Sequence, residues 1–178
     1  MDKIKLIFAG SRNFTNTQVA VDVINYCEQI NLLTTDQLEF VSGMAKGADT
    51  LGRKLAMANG LPCTDFPADW QDMSEPCVVK RNARGVVYNA LAGMARNKQM
   101  GNYSDMAIVM WNGRSKGSLD MINFMKRLGK LVIVYEYKEV DDLFSADNIS
   151  IYYGHDLRVN KEESDRLHSL AKEALRRV

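Results

Sequence analysis

The sequence predicts an α/β protein built on an open parallel sheet of about five strands with helices on both faces. Short, almost wholly apolar runs at residues 4–9, 40–42, 106–111 and 131–135 alternate with longer segments whose apolar residues recur every three or four positions. Strands buried on both faces read as such runs, and the amphipathic helices that cover them carry the longer spacing. Three of the runs pass through a glycine-bearing corner straight into a helical pattern. No linker, repeat or low-complexity tract divides the 178 residues. Residues 1–137 are expected to form the main α/β domain, and residues 138–178 a C-terminal extension, an edge strand and a charged helix, packed on it.

Residues 3–10 read as the first strand, and Gly10-Ser11-Arg12 turns the chain. Thr15, Asn16 and Thr17 offer capping side chains to a helix with Val19, Val23, Ile24, Cys27 and Ile30 on its apolar face, a spacing of three and four. Residues 31–37 are the loop out, residues 38–42 the second strand. The corner Gly43-Met44-Ala45-Lys46-Gly47-Ala48-Asp49 opens a helix with Leu51, Leu55, Ala56 and Ala58, and Asn59-Gly60 stops it. Residues 62–66 form a short third strand left by the rigid turn Pro67-Ala68-Asp69-Trp70. After a break at Glu75-Pro76, residues 78–100 read as mostly helical despite Gly85 and Gly93, with Arg81 and Arg84 facing the same way. The fourth strand spans 105–111. A helix over 118–128 carries Met121, Ile122, Met125 and Leu128, and Gly129-Lys130 ends it before a fifth strand at 131–135. Residues 141–153 add a short helix and an edge strand, and 160–178 a charged helix with Leu167, Leu170, Ala174 and Leu175 as its stripe. Alternation of this kind implies parallel pairing through right-handed crossovers, a Rossmann-like arrangement.

Composition narrows the partners. At 46% hydrophobic and 25% charged residues the chain is ordinary for a globular protein. A net charge of +1 supplies no overall field for nucleic acid or an anionic membrane, although a local patch can still act; bulk charge leaves the partner open, and nucleic acid is a possible but not the favoured one. Cys27, Cys63 and Cys77 are odd in number and far apart. They are expected to be buried free thiols in a reducing, cytoplasmic setting. The N-terminus lacks a signal-peptide layout, and no apolar run approaches the roughly 20 residues of a membrane span.

The chemistry is expected at the corners. A strand that turns through small residues into a helix leaves unpaired backbone N–H groups in front of the positive end of the helix dipole, where a phosphate binds well. Gly10, Ser11 and Arg12 form one such corner; Ser42, Gly43, Lys46, Gly47 and Asp49 a second; Gly113, Arg114, Ser115, Lys116, Gly117 and Ser118 a third. In an open parallel sheet they gather beyond the carboxyl ends of the strands. Arg12 and Lys46 supply positive charge, and Asp49 either caps its helix or accepts from a ribose hydroxyl. Trp70 offers an indole to a base or sugar. Asp69, Glu75 and Asp120 are the carboxylates placed to act as a general base or to stabilise an oxocarbenium ion. Neither GxGxxG nor GxxxxGK[ST] occurs, so the dinucleotide oxidoreductase and ordinary NTPase readings lose their best support, and no cofactor is expected. His155 and His168 read as incidental, and no ligand set for a metal is evident.

These blocks, together with Arg96-Asn97-Lys98-Gln99-Met100, resemble the SLOG superfamily and, within it, the YspA-type DUF2493 proteins, from Ile4 to about Tyr135. The resemblance implies a Rossmann-like domain for nucleotides or nucleotide-derived ligands, in a group that includes the LOG phosphoribohydrolases and the DNA-processing protein DprA. It also implies a homodimer or higher homo-oligomer, for which the methionine-rich face at Met121 and Met125 is one candidate surface. The LOG pattern PGGxGTxxE maps partly onto residues 112–121: Gly113 and Gly117 align, Ser118 replaces the threonine, and Met121 stands where the catalytic glutamate would be. Asp120 is adjacent but is expected to point elsewhere on the helix. The LOG catalytic arginine is matched by Arg96, four residues before Met100, and Asn97 joins the ligand-binding set. Hydrolysis or transfer at an N-glycosidic bond, a non-catalytic sensor or sequestering binder of a signalling nucleotide, and DprA-like binding of single-stranded DNA are the three functions that follow. The first needs a carboxylate near the ribose, for which Asp69 or Glu75 would substitute.

Overall fold

The computed structural model describes residues 3–153. Its elements are, in chain order, β1 (Ile4–Gly10), α1 (Thr17–Gln29), β2 (Leu38–Ser42), α2 (Ala48–Ala58), β3 (Cys63–Asp65), β4 (Val79–Arg81), β5 (Val87–Asn89), α3 (Ala92–Tyr103), β6 (Met106–Trp111), α4 (Lys116–Arg127), β7 (Leu131–Glu136) and β8 (Ile149–Tyr152). Six of the strands form one sheet in the order β3-β2-β1-β6-β7-β8, parallel throughout except for β8, which runs antiparallel to β7. The chain lays strands on one side of β1 and then crosses to the other, so the seam between β1 and β6 is the point where strand order reverses.

Alternation along the strands divides the core in two. Leu6 and Phe8 of β1 with Met106, Ile108 and Met110 of β6 face α1 and α2, whose Val19, Val23, Leu51 and Ala56 join the same cluster. Ile7, Ala9, Ala107 and Val109 face the other way, against Met100 of α3 and Met121, Ile122 and Met125 of α4. Met121 and Met125 are 2% and 0% exposed. They are core residues, each worth about 1.5–3 kcal/mol of burial, and offer no surface to a second subunit. Ile149 and Ile151 of β8 pack into the first cluster.

The segment expected to be mostly helical over 78–100 is instead a two-stranded antiparallel hairpin, β4 with β5, followed by α3. Asn82 makes the turn: its Oδ1 accepts from the amides of Arg84 at 2.9 Å and Val86 at 3.0 Å, an Asx-type closure that outweighs helix propensity. Arg81 and Arg84 therefore share no helix face. The loop at 31–37 contains a 3-10 turn at Thr35–Gln37, and α4 begins at Lys116, two residues earlier than expected. All the cysteines are free, but only Cys27 is buried; Cys63 and Cys77 are half-buried. Burial pushes the Cys27 thiol up to about 12, so native protein is expected to leave Cys27 unmodified by iodoacetamide until it unfolds, as mass spectrometry of tryptic peptides would show. Among the described residues no helix is long and apolar enough to cross a membrane. His155, His168 and the charged helix expected at 160–178 lie outside the described residues.

Candidate functional site

The corners after β1 and β6 meet at the seam where strand order reverses, because Gly10 and Met110 are register partners at the ends of their strands. Ser11 locks them: its amide donates to Met110 O at 2.9 Å, and its Oγ accepts from Asn112 N at 3.1 Å. The corner after β2 docks on the same point. Gly47 lies at φ +82°, and a Cβ there would stand 2.4 Å from Ser11 O, so the contact requires glycine. Around this junction opens a cleft of about 790 Å³, bordered by Gly10, Ser11, Arg12, Asp49, Trp70, Arg96, Ser115, Lys116, Gly117, Ser118 and Asp120 among the residues expected from sequence.

At the first two corners several amides are taken by acceptors of the protein's own, among them those of Gly10, Ser11, Gly43, Met44 and Ala45. Asp49, 4% exposed, lies at the back of the cleft and takes hydrogen bonds from the backbones of Ala45, Gly10 and Gly43, so its carboxylate fastens the corners rather than capping α2. The N-cap of α2 is Gly47, with no side-chain hydrogen bond. Arg96 comes in from α3, its Nη1 3.9 Å from Asp49 Oδ2 and donating to Gly43 O. Burial still dominates and pushes the Asp49 carboxyl up to about 6, against the opposing pull of Arg96 and the backbone donors. The Arg96 guanidinium is in turn lowered, mainly by burial, with the nearby Arg12 adding to the effect. Gly43 is buried between the pair; a Cβ on it would meet Asp49 Oδ2 at 2.6 Å.

The third corner is open. Asn112 Oδ1 accepts from Arg114 N at 3.1 Å and Ser115 N at 2.9 Å, and Ser115 Oγ caps α4 by accepting from Ser118 N at 3.3 Å. The first two amides of α4, those of Lys116 and Gly117, have no partner among the described residues. Gly117 borders the cleft, and a Cβ there would meet nothing within 4 Å. Its missing side chain therefore serves no packing need in the protein itself.

Asp120, one of the three carboxylates named from sequence and offset by one residue from the LOG glutamate position, borders the cleft and is held in place. Asn97 Nδ2 donates to Asp120 Oδ2 at 2.9 Å and to Gly117 O at 3.2 Å, while its Oδ1 accepts from Arg96 Nε at 3.2 Å. Buried Asn97 is thus a strut between Arg96 and Asp120 rather than a group at the cavity wall. Trp70 is 38% exposed and stands edge-on to Tyr88 at 6.2 Å, so the hairpin base braces one wall. Asp69 and Glu75 do not border the cleft: Asp69 is exposed and closes its own turn by accepting from Gln71 N and Asp72 N, each at 3.1 Å, and Glu75 is exposed. Lys46 is exposed beyond the rim, Ser42 is buried with Oγ donating to Asp49 O at 3.2 Å, and Gly113 and Arg114 turn away on the far side of Asn112. Asn13, Met94 and Asn112 border the cleft without having been expected there. The signal for Asn112 was present, an Asx residue directly after a strand; nothing in the pattern singles out Asn13 or Met94. Among the described residues no cluster of His, Cys, Asp and Glu is arranged to hold a metal ion.

Residues 4–72 match the model of the YspA, cpYpsA-related SLOG family, in agreement with the resemblance carried by Gly10-Ser11-Arg12 and the Gly43 to Asp49 corner. No curated protein sequence matches the chain. DNA processing protein A from Streptococcus pneumoniae has a similar fold, with a TM-score of 0.54 and 23% identity over 79% of this chain. The chain spans about half of that protein, 52% of its length. The single-stranded-DNA-binding DNA processing protein A from Helicobacter pylori aligns with a TM-score of 0.52 and 14% identity, over 97% of this chain and 82% of the other.

Proposed function

We propose that the cleft at the β1–β6 seam binds a nucleotide or nucleotide-derived molecule, with its phosphate on the first turn of α4 and its base toward Trp70. The observation that supports this reading most strongly is the pairing of the unclaimed Lys116 and Gly117 amides with cleft-facing Arg12 and Lys116. Backbone donors, helix dipole and cations act on the same spot. Asp120, fixed by Asn97, is the carboxylate available beside a sugar; hydrolysis or transfer at an N-glycosidic bond is the chemistry it would serve by stabilising positive charge at the anomeric carbon. Asp69 and Glu75 have no part in it.

Gly117→Ala tests the phosphate site without disturbing the fold. Its thermal midpoint should not fall, since a methyl there meets nothing in the protein and alanine favours helix. Nucleotide affinity, measured by calorimetry over mono- and diphosphates of each base, should drop by roughly tenfold. Asp120→Asn should retain binding and stop release of free base, followed by chromatography. A panel in which no nucleotide binds sinks the reading; binding without base release in the unaltered protein leaves a sensor or sequestering protein. The DNA processing proteins of similar fold favour a second reading, in which the same basic rim takes single-stranded DNA. It predicts binding of an oligonucleotide whose affinity falls steeply with salt.

A further inference from the structure

We infer that the ligand is two-headed: a phosphate or pyrophosphate with a nucleoside in the cleft on one side and a second sugar or nucleoside on the other. The inference rests on the nucleotide reading above and specifies its class. A second cavity of about 450 Å³ lies across Asn13 and Asn112, and those two residues border both cavities. Each lobe falls in the range of small-molecule sites, about 300–1,000 Å³. The second lobe is built from the far side of the β6 corner and the end of β7, so it too lies at the carboxyl edge of the sheet.

The charges of the lobes differ in kind. The cleft sets Arg12, Arg96 and Lys116 against Asp49 and Asp120 and adds the start of α4, a net pull on an anion. The second lobe sets Arg114 and Lys138 against Glu136 and Glu139, all exposed, and so has no net pull. A carboxylate only accepts hydrogen bonds; two of them beside a neutral cavity suit the hydroxyls of a sugar and repel a second free phosphate. The divider is fixed. Tyr137 donates its hydroxyl to Asn13 Oδ1 at 2.7 Å, and Asn112 Oδ1 is taken by the amides of Arg114 and Ser115. Asn13 Nδ2 has no acceptor among the described residues, so its two hydrogens are available to a group that crosses the divider. A mononucleotide uses one side of this groove; a phosphate flanked by two sugars uses both.

The test is calorimetric titration of the whole chain with nucleoside diphosphates of the four bases and with the symmetric dinucleoside diphosphates of the same bases. ADP and diadenosine diphosphate carry the same two phosphorus atoms and differ in the second nucleoside. For the preferred base the two-headed ligand should bind at least about tenfold tighter. In the E136Q/E139Q double variant the ratio should fall below about twofold; Tyr137→Phe, which frees Asn13, should narrow it as well. Equal affinities for the two ligands, or a preference untouched by these variants, overturn the inference and leave the nucleotide reading standing. Binding of neither class overturns both. Binding of a twelve-residue oligothymidylate with no binding of dinucleoside diphosphates overturns it in favour of a polymer.

Discussion

Asp49→Ala is expected to lower stability by about 3–5 kcal/mol, the usual cost of stripping a buried ion pair of one partner. One side chain is the common acceptor for the backbones of Gly10, Gly43 and Ala45 and the counterion of Arg96. Alanine leaves those donors buried without an acceptor, each a further loss. The corners after β1 and β2 would come apart at their shared point, so urea unfolding should show a large fall in midpoint. A fall below about 1 kcal/mol, the size of one neutral hydrogen bond, would mean that the carboxylate is not their fastening.

The same residue has a pH signature that a merely structural role would not show. Its carboxyl is raised in the fold to about 6 from an ordinary 3.8, first by burial. A group raised in the folded state contributes stability that is complete below its unfolded value and is lost as pH climbs through its folded value. Between pH 4 and pH 7 the native protein should therefore lose about 2 kcal/mol through Asp49. Asp49→Asn has no such proton to lose, so its stability relative to the unaltered protein should improve steadily over that interval. Glu39 is lowered, first by the hydroxyl of Tyr103, and pulls the other way; the difference between the two proteins removes it. A difference that stays flat from pH 4 to pH 7 would refute the raised carboxyl.

Which parts were readable in advance follows from where the information lies. The apolar runs of β1, β2, β6 and β7 are local, and burial on both faces leaves no other reading for Met106 to Trp111. The hairpin was locally legible too, through Val78-Val79 and Val86-Val87-Tyr88 around Asn82-Ala83-Arg84-Gly85. Helix formers nearby obscured β-branched residues on either side of a turn, the stronger signal. Asp49 and Asp120 are different. In sequence Asp49 is an acid in a helix's first turn, which ordinarily means a cap; that it reaches back to Gly10 depends on α2 packing at the end of β1. Asp120 is nominated by its place just after the third corner, but the bond that fixes it comes from Asn97 of another helix, and no spacing within α4 contains that fact. The corners could be read as phosphate sites from glycine and helix alone, yet two of them carry an acceptor of the protein's own.

Gly10→Ala is the second substitution expected to have a large effect, at least about 3 kcal/mol, the upper part of the usual cost of overpacking. A Cβ at Gly10 would stand 2.1 Å from Met110 O and 2.9 Å from its C and N. These are backbone atoms of the neighbouring strand, and no rotamer moves them aside. Relief requires β1 and β6 to part where Ser11 N binds Met110 O, and that shift carries Ser11 Oγ off Asn112 N and the Gly10 backbone off Asp49. The seam and the cleft are thus lost together, and nucleotide affinity should fall with stability. Gly60→Ala is the control: Gly60 also has a positive φ, +65°, but nothing lies within 4 Å of the added carbon, so it should cost only the strain of the left-handed backbone, about 1–2 kcal/mol. If the two variants unfold at the same urea concentration, close approach at the seam is not what demands glycine at position 10. If Gly10→Ala is the weaker by the expected margin, the glycine that looks like a phosphate-loop residue acts first as the hinge pin between strands, and its part in ligand binding comes through Ser11 and Asn112.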